Sequence, residues 1–251
     1  MPATSHSVWL TIDIGNSTIK IGLYFGNELQ KRLFTPSMND VLERISAWNS
    51  KTPFDRIGLC SVVPERTHRM IADIQLFTDV PIFELTSDSF LPIRISYDPI
   101  ESLGLDRIAA ASGAWSSSKK AMIVIDAGSA ITVDLVSRDG TFIGGVIMPG
   151  PKLSGHALSN HTSNLPEVDL QLPHGTIGLS TITALQHGLI YGMIDGVNGV
   201  VRRIKQTYEE PTDIILTGGW APLLTSQLPR HETLRHLVLD GLRVIMELNP
   251  T

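Results

Sequence analysis

The sequence predicts an α/β fold built from two similar halves, and three observations carry that prediction. A short acidic elbow occurs twice, as Asp13-Ile-Gly-Asn-Ser-Thr18 and as Asp126-Ala-Gly-Ser-Ala130, 113 residues apart. Each elbow closes one apolar strand, Trp9 to Asp13 or Met122 to Asp126, and opens another, Ile19 to Phe25 or Ile131 to Val136. After each hairpin, stretches with helical spacing alternate with short apolar strands. Two unrelated hairpins have no reason to share strand, elbow and strand in the same order, so each half reads as one copy of a repeated unit.

The elements follow in order. Ser37 to Trp48 places Val41, Leu42 and Ile45 at helical spacing, and Arg56 to Val63 is an apolar strand ending at Pro64, which gives β-β-α-β. Glu65 to Phe77 reads as a helix with Met70, Ile71 and Ile74 inward, Pro81 to Leu85 as a strand, and Asp106 to Trp115 as an alanine-rich helix. The polar stretch Ser116 to Lys120 marks the seam between domains 1–118 and 119–251. The second half continues through Thr141 to Met148, a long helix over Thr181 to Arg203, and the strand Asp213 to Thr217.

The elbow chemistry points to an anion. Gly15 and Gly128 carry no Cβ, so the chain turns sharply and its N–H groups come close to a ligand, while Asn16, Ser17, Thr18 and Ser129 add side-chain donors. Asp13 and Asp126 are anionic at neutral pH and repel phosphate unless a cation lies between. Mg²⁺ suits that place, since it needs only one or two carboxylates beside phosphate oxygens. Read singly, each elbow is equally well an ordinary hairpin turn capped by its own Asp. The repetition favours one nucleotide gripped between two lobes.

Composition narrows the class. With 42% hydrophobic and 18% charged residues, 251 residues bury a proper core. Acidic residues interrupt the most apolar strands, so no membrane span is expected, and Met1 to Ser7 has neither the basic nor the apolar character of a signal peptide. A single cysteine, Cys60, excludes an internal disulfide and multi-cysteine metal sites, and makes the cytoplasm the default location. The net charge of −5 disfavours nucleic acid as a partner. His156 and His161, in a Gly/Pro/Ser/Asn-rich stretch, read as surface histidines.

Three further features admit two readings each. Gly188, Gly192 and Gly196 form a stripe on the long helix, which packs against the chain's own sheet or, the slightly preferred reading, against a second copy in a homodimer. Thr217-Gly-Gly-Trp-Ala-Pro222 is a plain turn or a surface for a flat adenine ring. Gly104-Leu-Asp106-Arg107 opens a helix, either as a capping Asp with a solvent-facing Arg or as an acid and a base held at the helix's positive end.

No GxxxxGK[ST] run is present, and the paired elbows with the late Gly-Gly resemble the superfamily of acetate and sugar kinases, actin and chaperone ATPases. Within it, Val8 to Leu248 resembles the type III pantothenate kinases. The resemblance rests on Asp13-Ile-Gly-Asn-Ser-Thr-Ile-Lys20, Ser61-Val-Val-Pro64, Gly104-Leu-Asp-Arg107, Asp126-Ala-Gly-Ser-Ala-Ile-Thr132, Gly144-Gly-Val-Ile-Met-Pro-Gly150, Gly178-Leu-Ser-Thr181 and Thr217-Gly-Gly219, in that order.

It implies two duplicated ribonuclease-H-like, actin-like ATPase domains with a nucleotide cleft between them, and transfer of phosphate from ATP to pantothenate, the first step of coenzyme A synthesis. Mapped onto this chain, it implies an ATP loop of Asp13, Ile14, Gly15, Asn16, Ser17, Thr18, Ile19 and Lys20, with Ser129 as a further nucleotide contact. Pantothenate is expected at Tyr97, Gly104, Leu105, Asp106, Arg107 and Thr181, with Asp106 as proton acceptor and Thr181 reaching in from the partner of a homodimer. Asp126 is expected to hold a monovalent cation, K⁺ or NH₄⁺, beside the Mg²⁺ that accompanies ATP. Ser17 and Ser129 stand where threonine is frequent, and Ser180 where Asn is. A lineage similar to this family supplies the alternative, a nucleotide-binding transcriptional accessory protein without kinase activity; a related kinase acting on a sugar or a carboxylate is a more distant one.

Overall fold

Strand alternation sorts the first side chains. In β1 (Val8–Ile14), Leu10, Ile12 and Ile14 point to one face and Trp9, Thr11 and Asp13 to the other. β2 (Ile19–Phe25) pairs antiparallel with β1 and β3 (Glu28–Thr35) antiparallel with β2, while β4 (Arg56–Ser61) and β5 (Ile82–Glu84) add parallel on the other side, giving the order β3-β2-β1-β4-β5. The first face is closed by α1 (Met38–Asn49) and α2 (Pro64–Gln75), whose Val41, Ile45, Trp48, Met70 and Ile74 pack with the β1 and β2 aliphatics. A short β6 (Arg94–Ile95) and a 3-10 turn (Ile100–Ser102) lead into α3 (Leu105–Ser118).

This computed structural model describes residues 7–250. The chain divides into two units: the first runs to Ser118 and resumes at His236, and the second spans Lys119–Arg235. The sequence reading carried the second domain to residue 251, but the terminal helix α7 (Leu237–Leu248) packs instead on α3, β1 and β4 of the first unit. The predicted β-β-α-β run gains a strand as well. β3 was not expected because Glu28-Leu-Gln-Lys-Arg-Leu-Phe-Thr35 is mostly charged or polar, which an edge strand with solvent beside it tolerates.

The second face of this sheet receives α3 and α7 at very short range, since Gly22 and Gly58 offer no side chains there and Met246 of α7 lies directly over Gly58. Where α3 and α7 cross, a Cβ on Gly113 would stand 2.9 Å from both the Gly241 nitrogen and the Leu237 carbonyl oxygen. The end of α7 is pinned by the buried Arg56, which donates from Nη1 to the Met246 carbonyl at 2.6 Å and from Nη2 to that of Asn249. Tyr24, almost fully buried, donates its hydroxyl to Asp240 at 2.6 Å, and burial together with that carboxylate pushes its pKa far up. Tyr24→Phe leaves Asp240 without this donor and is expected to cost about 1.5–3 kcal/mol, read from chemical denaturation.

The second unit repeats the plan. β7 (Met122–Ala127), β8 (Ala130–Val136) and β9 (Thr141–Pro149) are antiparallel neighbours, and β10 (Asp213–Thr217) and β11 (Glu232–Thr233) join parallel beyond β7. The order β9-β8-β7-β10-β11 is that of the first unit, hairpin and crossovers included. Helix α5 (Thr181–Thr207) covers Ile123, Ile125 and Ala127 through Ile190, Met193, Ile194, Val197 and Val201. The glycine stripe divides: Gly188 and Gly192 are exposed, and a Cβ on either would meet nothing of this chain within 4 Å outside its own helix, whereas Gly196 is half-buried, with Met148 Sδ 3.6 Å from where its Cβ would be.

Helix α4 (Pro151–His161) occupies the Gly/Pro/Ser/Asn-rich stretch to which the sequence pattern assigns no element, with Pro151 in its first turn; His156 and His161 are exposed on it. A four-residue helix α6 (Ala221–Leu224) follows the Gly-Gly. No helix among the described residues is long and apolar enough to cross a membrane. Of the stretch Met1 to Ser7 only Ser7 lies among the described residues, and its carbonyl accepts from Gly26 N–H at 2.9 Å.

Candidate active site

Register brings the first acidic group to its partners. Asp13 lies opposite Lys20 on β2 and Cys60 on β4, so all three project from the α3/α7 face of the sheet. Asp13 is 4% exposed, and Lys20 Nζ donates to its Oδ2 at 3.0 Å. The elbow between them is closed by Gly15 N–H on the Thr18 carbonyl at 3.0 Å, with Asn16 and Ser17 exposed at its tip. Glycine eases a tight contact here and does not serve a left-handed backbone: a Cβ on Gly15 would sit 3.1 Å from the Thr18 oxygen.

The second acid comes from α3. Asp106 lies in the first turn of that helix, and its Oδ1 accepts from Arg107 N–H at 2.8 Å while passing over Gly104, where a Cβ would come within 2.5 Å of that oxygen. Its pKa is raised, first by burial and next by the charge of Asp13; Arg107 N–H, Lys20 and the Arg107 charge pull the other way. Two carboxylates therefore share one field with one lysine. Cys60, silent in the sequence reading, lies buried in the same field, and its thiol is pushed well up by burial and then by Asp13 and Asp106. Only the strand register could have pointed to it.

Arg107 is not the solvent arginine that a capping motif allows. It is 6% exposed, and its guanidinium stacks 5.4 Å from the Tyr97 ring centroid. Four of the predicted residues, Asp13, Lys20, Asp106 and Arg107, thus act on one another, and Tyr97 joins them through Arg107.

In the second unit Asp126, one residue before the end of β7, lies opposite Thr132 and Thr217. Its elbow is tighter than the first. Ile14 pairs with Ile19 across four residues, whereas Ala127 pairs with Ile131 across three, and Gly128 N–H closes the turn on the Ala130 carbonyl at 3.1 Å. Ser129 is exposed at the tip, and Gly150 N–H bonds its carbonyl at 2.9 Å. Gly218 has φ +96° and lies on the Ala127 backbone, where a Cβ would come within 2.5 Å, while Gly219 has open space where a side chain would be. Thr181 is exposed as the first residue of α5; Ser180, which replaces a frequent Asn, caps that helix by accepting from Thr183 N–H at 3.2 Å.

Among the described residues no group of three or more His, Cys, Asp or Glu gathers that could hold a metal ion alone. An ion bound at Asp13 would therefore be shared with ligand oxygens, as Mg²⁺ on a nucleotide is. The Asp13–Asp106 repulsion fits such an ion, which would relieve it.

The whole-chain comparisons agree in direction. Residues 9–203 match the family model described as type III pantothenate kinase. A type III pantothenate kinase from Frankia alni is 34% identical over 251 residues, covering 96% of this chain and 99% of its own length. Among solved structures, a Campylobacter jejuni protein described as a Baf family transcriptional activator aligns with TM-score 0.60 at 23% identity, covering 96% of this chain and 98% of that one. Component A of the Acidaminococcus fermentans (R)-2-hydroxyglutaryl-CoA dehydratase aligns with TM-score 0.57 at 13% identity, over 97% and 100%. Those two show the fold, that of actin-like ATPases and sugar kinases, and their printed functions are their own. The sequence match reaches further: this chain belongs to the type III pantothenate kinase family, the enzymes that phosphorylate pantothenate on the way to coenzyme A.

Proposed function

We propose that Asp106 accepts the proton of the pantothenate primary hydroxyl as that oxygen bonds to the γ-phosphorus of ATP and the bond to the bridging oxygen breaks, giving 4′-phosphopantothenate and ADP. The observation that carries this reading is the Asp13, Lys20 and Asp106 group, one elbow with its lysine set against one acid in a raised state. Phosphoryl transfer asks little covalent chemistry of a protein, so positioning and charge neutralisation supply most of the rate. Lys20 neutralises phosphate, and the donors of Asn16, Ser17 and Thr18 cradle it. Arg107, held by Tyr97, keeps the acceptor in line. A carboxylate with a raised pKa is a better base, which suits the proton-accepting role that the resemblance implies for Asp106.

Asp13 is the proposed protein ligand of Mg²⁺, which when bound screens the phosphate charge. Asp126 is the proposed ligand of K⁺ or NH₄⁺, Ser129 a nucleotide contact, and Thr181 a pantothenate contact offered to a second copy. Purified protein with ATP, Mg²⁺, K⁺ and pantothenate is expected to release ADP, and to slow when Na⁺ replaces K⁺. ADP release that does not depend on pantothenate, or that a sugar supports equally, would sink the acceptor assignment. An intact Asp106 and Arg107 favour catalysis over a purely regulatory role.

Dimerisation through α5 is supported by the exposed Gly188 and Gly192, and by Ile177, Leu179 and Ile182 beside the start of that helix, which are 78%, 95% and 53% exposed. Gly192→Arg, placed in open space, is expected to leave the fold intact and convert a dimer to a monomer in light scattering. A dimer unchanged by it would move the interface elsewhere.

A further inference from the structure

Arg66, in the first turn of α2, reaches back 50 residues to the first elbow. Its Nη1 donates to the carbonyl of Gly15 at 3.2 Å and to that of Asn16 at 3.4 Å. The peptide groups that own these carbonyls also own the N–H groups of Asn16 and Ser17. Both peptides are trans, and a trans peptide sets its C=O and N–H on opposite edges. With both carbonyls turned toward Arg66, both N–H groups are turned to the other side of the loop.

The elbow's own closing bond, Gly15 N–H to the Thr18 carbonyl, lies outside both of these planes, so Arg66 acts on groups that this bond does not fix. Arg66 itself stands on a fixed base: the next residue, Thr67, is buried and bonds the Val63 carbonyl through Oγ1 at 3.1 Å, and Met70 and Ile74 sit in the core. The Nη1 group has two N–H donors, one for each carbonyl.

We propose that Arg66 is a positioning residue for nucleotide binding: by clamping the Gly15 and Asn16 carbonyls it orients the Asn16 and Ser17 N–H groups toward the triphosphate. The inference rests on the reading of this elbow as the phosphate cradle. Preorganised donors bind an anion without first reordering the loop, so the loss falls on nucleotide affinity and leaves the acceptor's binding alone.

The test measures Mg·ATP binding by calorimetry for the wild type, Arg66→Ala and Arg66→Lys, with steady-state kinetics and melting temperatures beside it. Arg66→Ala is expected to weaken nucleotide binding and raise KM for ATP about tenfold or more, with KM for pantothenate and the melting temperature little changed. Methylguanidinium added to that variant is expected to restore part of the affinity, and the amide resonances of Asn16 and Ser17 are expected to move before any nucleotide is added. Arg66→Lys keeps the charge but not the planar fork and is expected to recover only part of the loss. Unchanged affinity in Arg66→Ala overturns the proposal, and wild-type affinity in Arg66→Lys reduces Arg66 to a charge and overturns it equally. Binding is read apart from ADP release, so a wild type that binds ATP yet ignores pantothenate would refute the acceptor reading and leave this inference to the affinities.

Discussion

Asp106→Asn is expected to lower kcat by about a hundredfold to ten-thousandfold while the protein melts no earlier than the wild type. The amide keeps the shape of the side chain and an oxygen able to accept from Arg107 N–H, but it takes no proton. Its effect on stability has a defined sign. Because the folded pKa of Asp106 is raised above 3.8 by burial and by Asp13, the folded state holds this proton more tightly than the unfolded chain does. The ionised carboxylate is therefore a cost to the fold at neutral pH, a cost that fades as pH falls through the folded pKa toward the unfolded one. The Asn variant should accordingly show its largest gain in melting temperature above neutrality and lose that gain in acid. Full turnover in the variant would remove Asp106 as the base, and a lowered melting temperature at pH 8 would contradict the burial argument.

Gly241→Ala carries the largest expected effect on stability. The added methyl would fall on the Ala109 carbonyl of α3, with the Gly113 nitrogen 3.0 Å away, and these are backbone atoms that no rotamer change can move. The helices must separate or shift, at a cost of about 3 kcal/mol or more. For a chain of this size that lowers the melting temperature by on the order of 10 °C. Gly199→Ala is the control, since its Cβ would meet nothing within 4 Å outside its own helix, and it should be neutral or slightly stabilising. Equal melting temperatures for the Gly241 variant and the wild type would show that α3 and α7 do not touch as described.

The core strands of both units and the elbows were legible in the sequence because their signals are local. An acidic residue ending an apolar run, followed by glycine and hydroxyls, needs no partner to be noticed. What escaped depends on neighbours distant along the chain. β3 shows no apolar pattern because only one of its edges is paired. Pro151 and Gly155 make the α4 stretch look like loop, although proline belongs in a first turn. The place of α7 is set by glycines more than a hundred residues apart, Gly113 and Gly241, each unremarkable alone. At the site, Asp106 and Arg107 stood out as a motif, but the raised state of the acid, the burial of the arginine and the nearness of Cys60 all come from β1, β4 and α3 meeting.

The return of the chain from His236 onward to the first unit sets an order of events during synthesis. The middle portion is continuous and can close as soon as it leaves the ribosome. The amino-terminal portion, although made first, must wait with the α3/α7 face of its sheet unfinished until the last helix emerges. A nascent chain stalled before α7 has emerged should therefore expose that face to proteases or chaperones, while the middle portion is already resistant.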